Sequence, residues 1–217
     1  MGDYYPAYTN YGSHDNRGFE LVLTHHNCIK NFSYNVRGNI SWARNKILKM
    51  TEDPNVPNYM RSTGRPMGEY WGFVAEGLFQ TEEEIAHSAV YGPTLPGDIK
   101  LKDINGDGKI TYDQDRVPIG RSSTPEMMFG LNIGAEWKGI DFSMLWQGAA
   151  LFDVNLCGMY ANVGYDNTFY TKPFYCDGNT PYYLVENSWR PDNPDAEYPR
   201  LGIVSRDNGG KISSCWV

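Results

Sequence analysis

Residues 129–147 read Phe129-Gly130-Leu131-Asn132-Ile133-Gly134-Ala135-Glu136-Trp137-Lys138-Gly139-Ile140-Asp141-Phe142-Ser143-Met144-Leu145-Trp146-Gln147, and this stretch decides the fold. Apolar side chains fall at every second position on both sides of Lys138-Gly139, which is the period of a β-strand. A two-residue turn ending in glycine suits a type I′ hairpin. Such a turn sets Trp137 opposite Ile140, Ala135 opposite Phe142, Ile133 opposite Met144 and Leu131 opposite Trp146. One register therefore satisfies both strands, and a slip of one residue would move the apolar set to the wrong face. The other face carries Gly130, Asn132, Gly134, Asp141, Ser143 and Gln147. That is a wet surface of the kind that lines a barrel lumen.

The same alternation recurs upstream. Phe32, Tyr34, Val36, Ile40 and Trp42 share one face, while Ser33, Asn35, Arg37, Asn39 and Ser41 share the other. Phe19, Leu21 and Leu23 alternate less cleanly with Glu20, Val22 and Thr24. The links fall into two classes. His26–Asn31 and Lys138–Gly139 are short, whereas residues from about 45 to 125 and from about 148 onward form long connections. Bacterial barrels turn tightly on the periplasmic side and loop widely outside. The strand before Lys138 then runs inward and the strand ending near Asn45 runs outward, so everything between is one extracellular excursion. Tyr70–Gln80 is strand-like, with Trp71, Phe73 and Ala75 alternating, yet on this parity it belongs to loop structure. Thr81-Glu82-Glu83-Glu84-Ile85 reads as a capping box opening a short helix to about Ser88, which Tyr91-Gly92-Pro93 ends.

The expected fold class is all-β: antiparallel strands of a large transmembrane β-barrel with long extracellular loops, partial and not closed within this chain. Strands are expected at about 19–26, 32–44, 127–137 and 140–148, and extracellular loops at about 45–126 and 149–212, within one partial barrel domain over 1–217. Composition agrees. The 217 residues include 16 Tyr and 6 Trp, residues suited to surfaces apolar at one end and wet at the other. A mean hydropathy of -0.54 and the lack of any run of about 18 apolar residues exclude a membrane-spanning helix. Alternating barrel strands average out as polar and are not excluded. A net charge of -7 supplies no basic patch, so no nucleic-acid partner is expected. Met1-Gly2-Asp3-Tyr4 lacks the basic and apolar regions of a signal peptide. The signal has been removed or the true start lies upstream.

The sharpest chemical motif is Asp103-Ile104-Asn105-Gly106-Asp107-Gly108-Lys109-Ile110. It matches the first eight positions of a calcium loop. Oxygen donors stand at positions 1, 3 and 5, Gly108 permits the sharp turn, the Lys109 carbonyl serves position 7, and Ile110 is the apolar anchor. The end departs from the pattern: position 12 is Gln114, flanked by Asp113 and Asp115, and a one-residue expansion lets Asp115 supply the last carboxylate. The candidate metal residues are thus Asp103, Asn105, Asp107, Lys109, Asp113 and Asp115, with a structural Ca2+ ion. The competing reading is an Asp/Asn/Gly turn held by its own side-chain hydrogen bonds.

Other groups carry less. Adjacent His25 and His26 point to opposite faces of a strand and do not share a metal. Glu84 and His87 lack a second such pair. Cys28, Cys157, Cys176 and Cys215 form no CxxC motif. Cys157 and Cys176 either pair in an oxidising compartment or remain free thiols. HExxH, GxSxG, P-loop and GxGxxG motifs are missing, and no carboxylates are paired for acid–base work, so no enzyme activity is expected.

Several blocks, in order, resemble the SusC/RagA family of TonB-linked outer-membrane proteins. They are Asn16-Arg17-Gly18-Phe19-Glu20-Leu21, Phe32–Val36 with Gly38–Ser41, Gly77-Leu78-Phe79-Gln80 with Thr81–Ile85, and Pro96–Lys100 leading into Asp103–Gly108. Asp115-Arg116, Ile119-Gly120, Trp137–Ser143, Gln147-Gly148, Trp189–Pro194 and Tyr198–Leu201 complete the series. The extra residue in Tyr112-Asp113-Gln114-Asp115 is a departure, and the chain stops about where the family enters another strand.

The resemblance implies part of a TonB-dependent transporter in the outer membrane of a Gram-negative envelope, importing oligosaccharides or peptides together with a SusD-like surface lipoprotein. Engagement of the TonB complex belongs to a plug domain this chain does not contain. Such barrels close with about 22 strands, and four alone leave edges that lipid does not tolerate, so the chain by itself is expected to transport nothing. Tyr34, Trp42, Phe129, Trp137, Phe142 and Trp146 are expected to face outer-membrane lipid or sit in the interfacial belts. Tyr160, Tyr165, Phe169 and Tyr170 either pack the second loop, the preferred reading, or stack on sugars. The rival is a soluble calcium-stabilised β-domain that binds carbohydrate.

Overall fold

The computed structural model describes residues 10–156, 182–201 and 213–217. They divide into two compact units. The first lies within residues 1–56, 61–67 and 124–152. It is an antiparallel sheet of β1 (Ser13–Ile29), β2 (Phe32–Lys49), β7 (Met127–Trp137) and β8 (Ile140–Ala150), paired in that order. The hairpin register read from the sequence is the observed one, with Trp137 opposite Ile140, Ala135 opposite Phe142, Ile133 opposite Met144 and Leu131 opposite Trp146. Lys138 and Gly139 both take positive φ, at 52° and 83°, as a type I′ turn requires.

Register carries the apolar face across all four strands. Phe19 faces Trp42 and Leu21 faces Ile40. Ile40 in turn faces Phe129 and Val36 faces Ile133. Phe19, Leu21, Leu23, Phe129, Trp137, Ile140, Phe142 and Trp146 are each 46–66% exposed. Side chains of this size facing outward in one continuous patch mark a surface whose solvent is not water. The opposite face carries the polar series, interrupted by Val22, Met128 and Leu145. On it Asn39 lies opposite Gly130 and Asn35 opposite Gly134. A β-carbon at Gly130 would come within 2.7 Å of the Asn39 side-chain oxygen, so the glycines make room for the two amides.

Two strands are longer than expected. β1 begins at Ser13 rather than near 19, and β2 runs to Lys49 rather than near 44. Alternation is legible only where the solvent differs on the two faces. Beyond Phe19 and Trp42 polar residues predominate on both faces, and the apolar pair Ile47 and Leu48 is adjacent rather than alternating, so backbone pairing continues without a period-two hydrophobic signature. The link His26–Asn31 is corrected likewise. β1 continues through His25, His26 and Cys28, and only Lys30-Asn31 connects it to β2, with Lys30 at φ 57°.

The described residues of the second unit lie within 57–60, 68–123 and 153–217. Tyr70–Gln80 is indeed local structure here. β3 (Tyr70–Gly72) pairs with β6 (Val117–Gly120), and β4 (Ala75–Leu78) pairs with β5 (Ile99–Leu101). Helix α1 (Glu82–Ala86) starts at the N-cap Thr81, whose hydroxyl accepts the Glu84 N–H, while the Glu84 carboxylate accepts the N–H of Gln80. Helix α2 spans Tyr182–Glu186. The buried core is Phe73, Ile99, Leu101, Ile110, Leu184 and Trp216, with Tyr198 stacked on Trp216. The Cys157–Cys176 pair and Tyr160, Tyr165, Phe169 and Tyr170 lie outside the described residues.

Candidate functional site

The Asp103–Asp115 loop is built by its own short side chains. Gly106 and Gly108 sit at φ 76° and 81°, conformations that a side chain would strain. The Asp103 carboxylate accepts the N–H of Gly106 and of Gly108, each at 2.7 Å. The Asn105 side-chain oxygen accepts from the Asp107 N–H, and Asp107 Oδ1 accepts from the Lys109 N–H. Asn105 Nδ2 donates to Asp107 Oδ2 and Gln114 Oε1, each at 3.0 Å. Ile110 anchors the loop in the core, as its position in the motif predicts.

Asp115 closes the loop. It is fully buried, and its two oxygens accept the N–H of Ile104 at 2.9 Å and of Thr111 at 2.7 Å. A carboxylate satisfied by backbone donors ties the start of the loop to its end. Asp113 is exposed. Tyr59, which the motif does not include, donates its hydroxyl to the Gln114 carbonyl at 2.7 Å. Burial, then the charges of Asp115, Asp107 and Asp103, raise the Tyr59 pKa above its ordinary value. Its place beside the carboxylates was invisible in sequence because 44 to 56 residues separate them.

The donor set fits a hard cation in part. Asp103, Asn105 and Asp107 supply oxygens in the right order, and each oxygen that accepts one N–H keeps a second lone pair. Among the described residues, however, no group of three or more His, Cys, Asp or Glu side chains gathers as metal ligands do. The Glu84–His87 pair is likewise committed elsewhere: Glu84 Oε1 meets Lys100 Nζ at 2.8 Å, and His87 Nδ1 meets the Glu83 carbonyl at 2.7 Å.

The other sequence blocks converge in the second unit. The Phe79 N–H donates to the Asp98 carbonyl, the Gly97 N–H to the Phe79 carbonyl, and the Arg200 N–H to the Gly97 carbonyl. Trp189 Nε1 donates to Gln80 Oε1 at 2.9 Å, and Arg200 Nε meets the buried Asp98 at 2.7 Å. Segments about a hundred residues apart in sequence thus form one joint.

Fold and sequence together define a class: antiparallel strands in the manner of a β-barrel wall, similar to those of TonB-dependent receptors. The resemblance to SusC/RagA proteins holds. The chain is 29% identical over 204 residues to TonB-dependent receptor P26 of Formosa agariphila, which covers 89% of this chain and 19% of that protein. The structure of the RagAB peptide transporter superposes with a TM-score of 0.56 at 21% identity, over 92% of this chain and 21% of that one. The RagAB peptide importer in its open-open state gives 0.54 at 18% identity, over 88% and 20%. No family model matches. The chain spans about one fifth of the length of these relatives, and the protein resides in the outer membrane.

Proposed function

We propose that this chain supplies four neighbouring wall strands and outer loops of a TonB-dependent transporter that imports oligosaccharides or peptides with a SusD-like surface lipoprotein. The observation that carries the reading is the apolar face shared by β1, β2, β7 and β8, interrupted on β1 by His25 and Asn27, and backed by a polar face in the same register. The likeness to a peptide transporter makes peptides the first cargo to test. In this reading residues from about 45 to 126 and from 149 to 212 form extracellular loops, and chemistry on the cargo plays no part. The soluble carbohydrate-binding alternative must hide the same apolar face, and nothing among the described residues covers it.

The test uses the full-length protein in its own cells. Deleting its gene is expected to abolish TonB-dependent uptake of one class of labelled peptide or oligosaccharide, and the protein should fractionate with outer membranes. Unchanged uptake of every cargo in the panel, or recovery of the protein in the soluble fraction, overturns the reading.

We further propose that the Asp103–Asp115 loop takes a calcium ion through Asp103, Asn105, Asp107 and the Lys109 carbonyl. Asp115 serves as the brace, and Asp113 stands at the solvent edge. With two carboxylates on the ion, the affinity should fall at the weak, extracellular end of the range, about 10⁻⁴–10⁻³ M. Tyr59 supplies a direct readout. Terbium in the loop should emit when tyrosine is excited, and Tyr59→Phe should weaken that emission while leaving calcium-dependent protection of the loop from proteolysis intact. Terbium emission unaffected by Asp103→Ala with Asp107→Ala would sink the assignment.

A further inference from the structure

The outer end of β1 and β2 holds a cluster of cations at a defined height. β7 and β8 are 11 residues each, the length a tilted strand needs to cross a bilayer. Trp42 faces the first residue of β7 and Phe32 faces the last. The Phe19–Trp42 pair, stacked at 6.1 Å, therefore marks the outer edge of the apolar band. β1 and β2 have 17 and 18 residues and continue beyond it.

Beyond the aromatic pair the same face turns basic. Arg17 faces Arg44 and Asp15 faces Lys46. Two residues at a tilt of about 45° put Arg17 and Arg44 roughly 5 Å beyond the aromatic pair along the membrane normal. This is the level of lipid headgroups. Two arginines directly opposite each other repel, and such an arrangement is stabilised by an anion between them. Asp15 meets Arg17 through Nε at 2.6 Å, and Glu126 meets Arg44 through Nε at 3.4 Å. Three cations, Arg17, Arg44 and Lys46, face these two carboxylates, and the Arg17 side chain remains 84% exposed.

The cluster also has a wall. Where β7 ends, residues 64–67 run beside β2: the Ile47 N–H donates to the Arg65 carbonyl, the Ile47 carbonyl accepts the Gly64 N–H, and Asn45 Oδ1 accepts the Met67 N–H. Arg17, Trp42, Arg44, Lys46, Gly64 and Pro66 thereby enclose an open cavity of about 430 Å3.

We infer that this cavity binds a phosphate group of an outer-leaflet lipid. Arginine forks match phosphate oxygens, Lys46 adds a point charge, and Trp42 packs against the sugar or glycerol carbons below. The assignment rests on the proposed reading that the four strands span the membrane with the turns at residues 30–31 and 138–139 on the periplasmic side. It is independent of what the transporter carries.

The full-length protein in nanodiscs provides the test. The probe is lipid A, with and without its phosphates, read by native mass spectrometry of the assembled protein. Wild type should retain phosphorylated lipid A at least about tenfold better than the dephosphorylated form, and Arg17→Gln/Arg44→Gln/Lys46→Gln should lose that preference. Heat-modified migration confirms that the variant is assembled, and Lys46→Glu alone, at an exposed site, should weaken retention in the same direction. Equal retention by wild type and an assembled variant overturns the proposal. So does full displacement by inorganic phosphate, which would make this a free-anion site. Cargo uptake measured in parallel separates failure of the transport reading from failure of this one.

Discussion

The ring of Phe129 on β7 lies across Gly148 on β8, its register partner on the apolar face, and fills the space where a β-carbon would stand. The aromatic ring covers the strand glycine and replaces the side-chain contact that the glycine lacks. Gly148→Val should force the ring out of place and destabilise the β7–β8 hairpin by about 1–3 kcal/mol. The expected result is a lower temperature for loss of the heat-modifiable folded band of the full-length protein. A paired Phe129→Ala change should recover part of the loss.

A second close fit joins distant segments. Gly97 has φ 86°, and a β-carbon there would overlap the Trp189 ring and crowd Cβ of Arg200. Gly97→Ala combines left-handed strain, about 1–3 kcal/mol, with displacement of the indole. It should raise the rate of proteolysis between α1 and β5 and red-shift tryptophan emission, while leaving membrane assembly unchanged.

Asp115 and Asp103 should behave differently. Asp115→Asn exchanges a charged acceptor of two backbone N–H groups for an amide that must turn one donor toward another, at a cost of about 1.5–3 kcal/mol. Protease cleavage of the loop should then increase with or without calcium. In Asp103→Ala with Asp107→Ala, the calcium-dependent part of the protection should vanish.

Glu52 makes a local acid-sensitive clamp. Its carboxylate accepts the Thr63 N–H, the Thr63 hydroxyl and the Ser62 N–H, and these bonds, the Thr63 amide first, hold its pKa below the ordinary value. A depressed carboxylate pKa means that the contribution is present above the unfolded value and is lost as pH falls through the folded one. Amide exchange at Ser62 and Thr63 should therefore accelerate on acidification below the ordinary glutamate range. Glu52→Gln should remove that pH dependence.

The hairpin at Lys138-Gly139, the shared face of β2, and the cap at Thr81 were legible because each depends on neighbours in sequence. A period of two, a turn glycine and a hydroxyl three residues before its N–H donor need no tertiary information. The outer ends of β1 and β2 were not legible, since mostly polar side chains stand on both faces and alternation has no cause to appear there. The cation cluster at Arg17, Arg44 and Lys46 was hidden for a related reason. It exists only once register sets Arg17 opposite Arg44.

By itself, then, the sequence determined the strand identity, the register of the β7–β8 hairpin, the apolar and polar faces, and the order of oxygen donors from Asp103 to Asp107. These arise from local sterics and from the alternation that two different solvents impose. Only the tertiary structure decided that Asp115 spends both oxygens on Ile104 and Thr111, that Tyr59 stands beside the carboxylates, and that Trp189, Gln80, Gly97 and Arg200 form one joint. A carboxylate's partners, and the space beside a glycine, are set by which distant segments reach it, and spacing along the chain carries no record of that.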